Sequence, residues 1–232
     1  MPEFSTVAYA DGDMALLGHH ARPDGPARAA VAIFPSFMNV TPGVKAKAEL
    51  LTKSGYAVFI GDFYGSDSPK TPDEAFAAMQ RVRSDPLAFR RRLRATIAKT
   101  AELAPGVPQL AIGFCLGGMA ALEMARDGQD LAAVVSFHGL LATDLPASEP
   151  IATRMLICHG DADTLVPRQQ VMAFWEEMDS VQADWHFHSY SGVAHGFTVS
   201  TGLDGKPNSA YDASADRQSW ASMHSFFDEV LG

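Results

Sequence analysis

The segment GFCLGG, residues 113–118, constrains the fold of this chain more than any other part of the sequence. It follows the apolar run QLAIGF, which predicts a buried strand, and it leads into the helical pattern MAALEMA. A nucleophile on a tight strand-to-helix turn needs small residues two positions away, because the chain folds back on itself there. Gly113 and Gly117 lie two positions from Cys115 and meet that need, and Gly118 adds a second glycine directly after Gly117. The segment predicts a nucleophile elbow, and the alternative is a structural cysteine in a glycine-rich turn.

The start of a helix directly after Cys115 suits nucleophilic chemistry. The positive end of the helix dipole favours a thiolate over a neutral thiol. The backbone N–H of Leu116 then points toward the place where an oxyanion develops during attack on a carbonyl group. The sequence therefore predicts that Cys115 is a nucleophile with Leu116 as one oxyanion donor.

Two polar loops downstream contain the expected acid and base. The segment CHGDADTLVP, residues 158–167, places Asp163 in a turn just after an apolar run, and SGVAHGF places His195 between glycines. Elbow enzymes have their residues in the chain order nucleophile, acid, histidine, and Cys115, Asp163 and His195 follow it. Asp161 is a rival acid, although an aspartate in a turn often hydrogen-bonds its own backbone. Histidine is the usual general base near neutral pH.

We expect structural roles for the remaining histidines. Of these, His138 and His159 end apolar runs and are therefore placed to border the site. The others are His19, His20, His186, His188 and His224. No pair has the helical spacing of metal ligands, and two cysteines are too few for a thiolate metal site, so no metal is expected.

Apolar runs alternate with helical patterns along the whole chain. Predicted strands occupy residues 29–35, 56–62, 109–114, 132–138, 154–160 and 185–190. Predicted helices occupy residues 43–54, 71–82, 86–103, 117–127, 168–178 and 212–231. An early hairpin is expected near residues 4–10 and 14–19. Near-continuous apolar strands between helices predict one α/β domain over residues 1–232, with a mostly parallel sheet and helices on both faces.

Composition narrows the class of protein and its partners. The chain is 47% hydrophobic and 19% charged, which is typical of a globular protein. Its net charge of −9 argues against nucleic acid as a partner. Two cysteines suggest no disulfide framework, the N-terminal residues do not resemble a secretory signal, and no apolar run is long enough for a membrane span. A soluble cytoplasmic protein is expected.

Together GFCLGG, GDADTLVP and AHGF resemble the dienelactone hydrolase family, and so do GDFYG at 61–65 and the C-terminal segment at 211–227. The resemblance covers about residues 29–230. It implies an α/β-hydrolase fold, no cofactor, and hydrolysis of esters or lactones by a Cys–His–Asp triad, which maps onto Cys115, His195 and Asp163. It also implies an oxyanion hole formed by two backbone N–H groups, here those of Leu116 and Phe37.

The sequence departs from the family pattern at two places. Ser36 stands where the family has a glutamate that helps to activate the cysteine, so we expect His195 to activate Cys115 directly. Asp62 and Asp67 are alternative carboxylates from a neighbouring loop. The family has an arginine shortly after the histidine that holds a carboxylate of the substrate, but residues 196–199 contain none.

Substrate contacts are expected from strand-end loops and from an arginine-rich region. Ser36, Phe63 and Tyr64 follow predicted strands, and aromatic residues there either line a pocket or belong to the core. Arg81 is the candidate for binding an anionic group. Arg81 belongs to a group of arginines that has a second interpretation, as a solvated helix face paired with nearby acids. The group consists of Arg81, Arg83, Arg90, Arg91, Arg92 and Arg94.

The expected function is hydrolysis of a small ester or lactone through a thioester on Cys115. Two other classes stay open. The first is a non-catalytic member of the fold that binds a small molecule, which the change from glutamate to Ser36 favours. The second is acyl transfer to an acceptor other than water, which product analysis distinguishes from hydrolysis.

Overall fold

A computed structural model describes residues 3–202 and 205–232 of the chain. Its strands are β1 (Ser5–Asp11), β2 (Met14–Ala21), β3 (Ala29–Phe34), β4 (Tyr56–Ile60), β5 (Gln109–Phe114), β6 (Ala133–Phe137), β7 (Arg154–Gly160) and β8 (Trp185–Tyr190). Its helices are α1 (Pro42–Lys53), α2 (Pro72–Arg83), α3 (Pro86–Leu103), α4 (Leu116–Arg126), α5 (Arg168–Ser180) and α6 (Ala213–Leu231). A short 3₁₀ turn covers Gly65–Asp67.

The eight strands form one sheet in the order β1-β2-β4-β3-β5-β6-β7-β8. The first two strands form the expected hairpin, and β2 pairs with β4 in the antiparallel sense. Every other pair is parallel. The predicted mostly parallel sheet is therefore confirmed, with an antiparallel hairpin at one edge.

Helices cover both faces because the buried strands alternate their side chains between two apolar layers. Ala32 and Phe34 face the layer that contains α2, α3, α4 and α5. Val31 and Ile33 face the layer that contains α1 and α6. This double cover explains why the central strands are apolar at successive residues instead of at every second one.

Local sequence signals set most helix boundaries. Thr71 caps α2 by accepting a hydrogen bond from the N–H of Glu74, and Pro72 occupies the first helical position as predicted. After α1 the chain reverses at Gly55, whose φ of +90° suits glycine. Three predicted strands were one or two residues too long, because the ladder ends at Phe34, Ile60 and Phe137 where the chain turns into loops.

Parallel pairing brings the carboxyl ends of four central strands to one edge of the sheet. Phe34 pairs with Gly113 across β3 and β5, and Phe114 pairs with Phe137 across β5 and β6. Phe137 in turn pairs with Cys158 of β7. Loops that follow these strands therefore meet above the same edge, where ligands bind in open α/β sheets.

Candidate active site

Cys115 occupies a strained turn between β5 and α4. Its φ of 56° and ψ of −116° are rare for a residue with a side chain, and its N–H donates to the carbonyl of Phe137 at 3.1 Å. The next residue, Leu116, begins the helix. The backbone therefore has the predicted strand–turn–helix form, and the side chain of Cys115 is half-buried at the sheet edge.

The glycines around Cys115 permit close backbone contacts that a side chain would block. A Cβ atom on Gly113 would lie 1.8 Å from the carbonyl oxygen of Gly117. A Cβ atom on Gly117 would lie 2.0 Å from the carbonyl oxygen of Phe34, at the end of β3. These contacts bring the start of α4 against the loop that follows β3, which contains Phe37.

Asp163 and His195 meet across the loops after β7 and β8. Oδ2 of Asp163 lies 2.7 Å from Nδ1 of His195, and Oδ1 accepts the N–H of Leu165 at 2.8 Å. Asp163 is buried, whereas the side chain of His195 keeps 20% of its surface exposed. The rival Asp161 instead forms a 2.7 Å ion pair with Arg168 at the surface. The structure thus joins His195 to Asp163 and assigns Asp161 to a different partner.

The environment favours the charged form of His195. Burial opposes a charge on the ring, but the hydrogen bond to Asp163 and the interaction with Cys115 outweigh it and raise the pKa of His195 to about 10. Burial alone would raise the pKa of Asp163. The hydrogen bond and the charge interaction with His195 outweigh burial, so the pKa of Asp163 is lowered. Nε2 of His195 makes no regular hydrogen bond within residues 3–202 and 205–232, so it remains available toward Cys115.

Two backbone amides at the site have no acceptor in the described part of the chain. The N–H groups of Leu116 and Phe37 donate to no other described residue. A hydrogen bond holds the loop of Phe37 in place, because the Tyr64 hydroxyl donates to the carbonyl of Phe37 at 2.8 Å. Burial, and then the nearby Cys115 and Asp62, raise the pKa of Tyr64, so its hydroxyl stays protonated and able to donate.

Asp62 and Asp67, the two carboxylates considered as replacements for the family glutamate, lie in different environments. Asp62 is buried and accepts the amide of Asn39 at 2.8 Å and the backbone N–H groups of Leu17, Tyr64 and Gly65. Asp67 is exposed in the 3₁₀ turn. Asp62 thus ties the loop after β4 to the loop after β3. Ser36 accepts the N–H of Met38 at 3.3 Å, which stabilises the turn that precedes α1.

A cleft of about 200 Å³ lies between the loop after β4 and helices α2 and α3. Tyr64 and Arg81 line it, as does Asp67. Phe63 was expected to line the substrate pocket, but it belongs to the core instead, because it is 1% exposed and stacks on Phe34. Tyr64 packs against Phe63 and is also buried, but unlike Phe63 it lines the cleft.

Most of the arginine group is paired with acids, as the structural alternative predicts. Arg90 bonds Glu123, and both Arg91 and Arg92 bond Asp11. Arg94 bonds Asp127. Of this group, Arg81 and Arg92 line the cleft. Arg92 also donates to the carbonyl of Phe63, so Arg81 is the better candidate for contact with a ligand.

One further histidine reaches the site. His138 is 1% exposed, and its ring centroid lies 5.2 Å from that of His195 in an edge-to-face arrangement. The sequence placed His138 only at the border of the expected site, and its contact with the His195 loop was not predicted. The only signal in the sequence is its position directly after a strand that pairs with the strand of Cys115. No group of three or more potential metal ligands occurs among the described residues.

The sheet topology, with Cys115 on the strand–turn–helix and Asp163 and His195 on later strand-end loops, is that of an α/β hydrolase. The model of the dienelactone hydrolase family matches residues 16–231, and the chain belongs to that family. It is therefore a hydrolase of the carboxylic ester and lactone class.

The chain is similar to proteins with known structures and to curated sequences. A dienelactone hydrolase-like promiscuous phosphotriesterase from metagenomic libraries is 30% identical, with a TM-score of 0.90 over 100% of this chain and 99% of that chain. The carboxymethylenebutenolidase homolog of Mus musculus is 21% identical over 75% of this chain and 72% of that protein. An uncharacterized protein of Caenorhabditis elegans is 37% identical over 52% of this chain and 79% of that protein.

Proposed function

We propose that the chain hydrolyses a small ester or lactone through a thioester on Cys115, with His195 as base and acid and Asp163 as its orienting carboxylate. The observation that carries this is the 2.7 Å contact of Asp163 with His195, whose Nε2 has no regular hydrogen-bond partner among the described residues and whose ring interacts with Cys115. Asp163 holds the imidazole in one tautomer and stabilises its charged form. A raised pKa for His195 supports a thiolate–imidazolium pair in the resting enzyme.

The reaction proceeds in two stages. The thiolate of Cys115 attacks the carbonyl carbon, and the electron pair of the C=O bond moves to the oxygen, which the N–H groups of Leu116 and Phe37 stabilise. The intermediate collapses, the C–O bond of the ester breaks, and His195 gives its proton to the leaving alkoxide. Water, deprotonated by His195, then attacks the thioester and releases the acid and the thiolate.

Substrate recognition is proposed for the cleft beside Tyr64. Its volume of about 200 Å³ is below the roughly 300–1,000 Å³ of sites for drug-sized ligands, which favours a small acyl or lactone group. Tyr64 and Ser36 border the loop of Phe37, and Arg81 donates to substrate oxygens at the mouth. Asp67 and Asp85 balance Arg81 and Arg92 around the cleft, so a neutral substrate is favoured over an anion.

A second candidate activity is hydrolysis of phosphotriesters. It is favoured by the 30% identity, over nearly the whole of both chains, to a promiscuous phosphotriesterase. Attack by Cys115 on phosphorus would use the same oxyanion donors. A p-nitrophenyl phosphotriester releases a coloured product, and we expect Cys115→Ala to lose any such activity together with the esterase activity.

The decisive experiment measures alkylation of Cys115 and hydrolysis of a short p-nitrophenyl ester across pH 5 to about 10. We expect His195→Ala to slow both sharply and Cys115→Ala to abolish hydrolysis while the fold persists, since losing one member of a triad typically costs about 10³-fold or more. Cys158→Ala is the matched control, because Cys158 is buried and burial raises its pKa to about 12. Full activity in Cys115→Ala would mean that Cys115 is a structural cysteine in a glycine-rich turn and not the nucleophile.

The surroundings of the enzyme are also proposed. Cys115 and Cys158 are both free thiols, which fits the reducing cytoplasm. The net charge of −9 is unfavourable for nucleic acid, so we propose a small molecule, and not nucleic acid, as the ligand. Among the described residues, no helix has the length and apolar character needed to cross a membrane.

A further inference from the structure

His138 lies at the first position after β6, between the strands that lead to Cys115 and Asp163. Its backbone N–H donates to the carbonyl of Cys158 on β7 at 2.8 Å, while the preceding carbonyl, of Phe137, accepts the N–H of Cys115. Its φ of 40° is in the left-handed region, which is unfavourable for a residue with a β-carbon. This conformation ends the strand and aims the side chain beneath the loop of His195.

The ring of His138 contacts that loop at three residues. It packs edge-to-face on His195 and on Phe197, with both pairs of ring centroids 5.2 Å apart. Its Nε2 lies 2.9 Å from the hydroxyl oxygen of Thr198, which is buried and follows His195 by three positions. His138 therefore connects the end of β6 to the loop that contains the proposed base.

Packing alone would favour a phenylalanine at this position. The side chain of His138 is buried, and its Nδ1 has no hydrogen-bond partner among the described residues. A buried polar atom without a partner costs stability, because it has lost its hydrogen bonds to water. The left-handed backbone adds a further cost. These two costs together point to a role of His138 beyond filling the core.

The hydrogen bond to Asp163 does not fix the orientation of the His195 ring by itself. One bond at Nδ1 sets the direction of that nitrogen but leaves the ring free to rock about the Nδ1–Oδ2 line. Such rocking moves Nε2 away from Cys115. The edge of His138 lies against the ring of His195 and limits this motion, and the bond to Thr198 holds His138 in place.

We propose that His138 is a positioning residue that holds the imidazole of His195 with Nδ1 toward Asp163 and Nε2 toward Cys115. This role rests on the proposed function of His195 as base. His138 acts through packing and through its hydrogen bond to Thr198, and it takes no proton during the reaction.

The charged groups around His138 keep it neutral in this role. Burial lowers the pKa of His138 to about 3, and the neighbouring His195 and Lys47 act in the same direction while Asp163 opposes them. A neutral ring beside His195 does not compete with the imidazolium for the carboxylate of Asp163. Because His138 does not titrate near neutral pH, its loss is expected to alter the pH dependence only through His195.

The experiment compares His138→Phe, Thr198→Val and Thr198→Ser in hydrolysis of a short p-nitrophenyl ester and in the pH dependence of Cys115 alkylation. His138→Phe keeps an aromatic ring and removes the bond to Thr198, while Thr198→Val removes the hydroxyl at nearly constant shape. We expect each to lower kcat by about 10- to 100-fold with KM unchanged, as misplacement of a catalytic group does. Thr198→Ser keeps the hydroxyl and should keep kcat close to that of the wild type.

Two further measurements separate this role from mere stability and from the proposed function. Both low-activity variants should slow alkylation at neutral pH, and the double variant should lose no more than the worse single variant because both break one contact. If Thr198→Val and His138→Phe keep the kcat and the alkylation rate of the wild type, the positioning role of His138 is wrong. The triad is still supported in that case if His195→Ala is inactive. If His138→Phe does not fold, the Val and Ser variants of Thr198 decide. Full activity in His195→Ala would instead overturn the proposed function.

Discussion

Asp161 and Asp163 lie two residues apart in one loop but have different surroundings. Asp163 is buried and accepts from Nδ1 of His195 and from the N–H of Leu165. Asp161 faces solvent and bonds the exposed Arg168. The turn after β7 separates them, since the N–H of Asp163 bonds the carbonyl of Gly160 and directs the Asp163 side chain inward. The two aspartates therefore form a matched pair for mutagenesis.

Replacing Asp163 with Asn is expected to lower kcat for ester hydrolysis by on the order of 10³–10⁴-fold, because the amide no longer selects the tautomer with a proton on Nδ1. KM should change little. Asp161→Asn removes only the surface contact with Arg168 and should leave kcat within about twofold, as expected for exposed ion pairs. Steady-state kinetics on the two variants provide the comparison. Equal losses in both would mean that Asp163 does not orient the base.

The raised pKa of His195 makes stability depend on pH in one direction. The folded state holds the proton up to a pKa of about 10, whereas the ordinary pKa of a histidine is 6.5. The stabilisation is therefore full below pH 6.5 and is lost as pH rises through about 10. We expect the unfolding free energy of the wild type to exceed that of His195→Gln at pH 6 and the difference to shrink steadily toward pH 10. Urea denaturation at pH 6, 8 and 10 measures it, and a constant difference would exclude the charged resting histidine.

At the scale of elements, the start of α4 and the end of β3 form one tightly packed unit. Gly117 allows the helix to approach the carbonyl groups of Phe34 and Pro35, which directly precede the loop of Phe37. The N–H groups of Leu116 and Phe37 are therefore positioned by a contact between two elements. A change in that contact is expected to affect both the fold and the oxyanion donors.

Gly117→Ala tests this contact. The new Cβ would lie 2.0 Å from the carbonyl oxygen of Phe34, so the backbone of one element has to move. We expect a loss of about 1–3 kcal/mol of unfolding free energy, with a fall in kcat that exceeds any change in KM. Gly25→Ala is the control, because a Cβ atom there meets nothing within 4 Å. An active and stable Gly117→Ala protein would show that the loop of Phe37 adapts without cost.

Element order and type were predictable because local patterns encode them. Near-continuous apolar runs predicted the parallel strands, and Thr71 with Pro72 predicted the start of α2. Strand ends were less accurate, since a ladder ends where its neighbours end and not where the apolar run stops. The burial of Phe63 away from the cleft was not predictable, because Phe63 and Tyr64 are adjacent aromatic residues that both pack in the core and only Tyr64 also lines the cleft.

At the scale of the whole molecule, the site combines loops that are distant in sequence. The residues Cys115, Asp163 and His195 follow different strands, and the parallel register brings their loops to one edge of the sheet. The chain order of an elbow enzyme is the sequence feature from which these three residues are proposed as the site. Contacts such as that of His138 with Thr198, 60 residues apart, leave no local pattern in the sequence and needed the folded structure.

The overall charge of the molecule gives the final prediction. Asp67 and Asp85 offset Arg81 and Arg92 around the cleft, so the net charge of −9 dominates the field that an approaching ligand meets. The screening length falls from about 30 Å at 0.01 M salt to about 10 Å at 0.1 M. We expect kcat/KM for a p-nitrophenyl ester with a carboxylate on its acyl chain to rise roughly threefold over that range as repulsion is screened, while the matching methyl ester shows no change. A fall for the anionic ester would instead show that Arg81 attracts it, and Arg81→Gln should then remove the salt dependence.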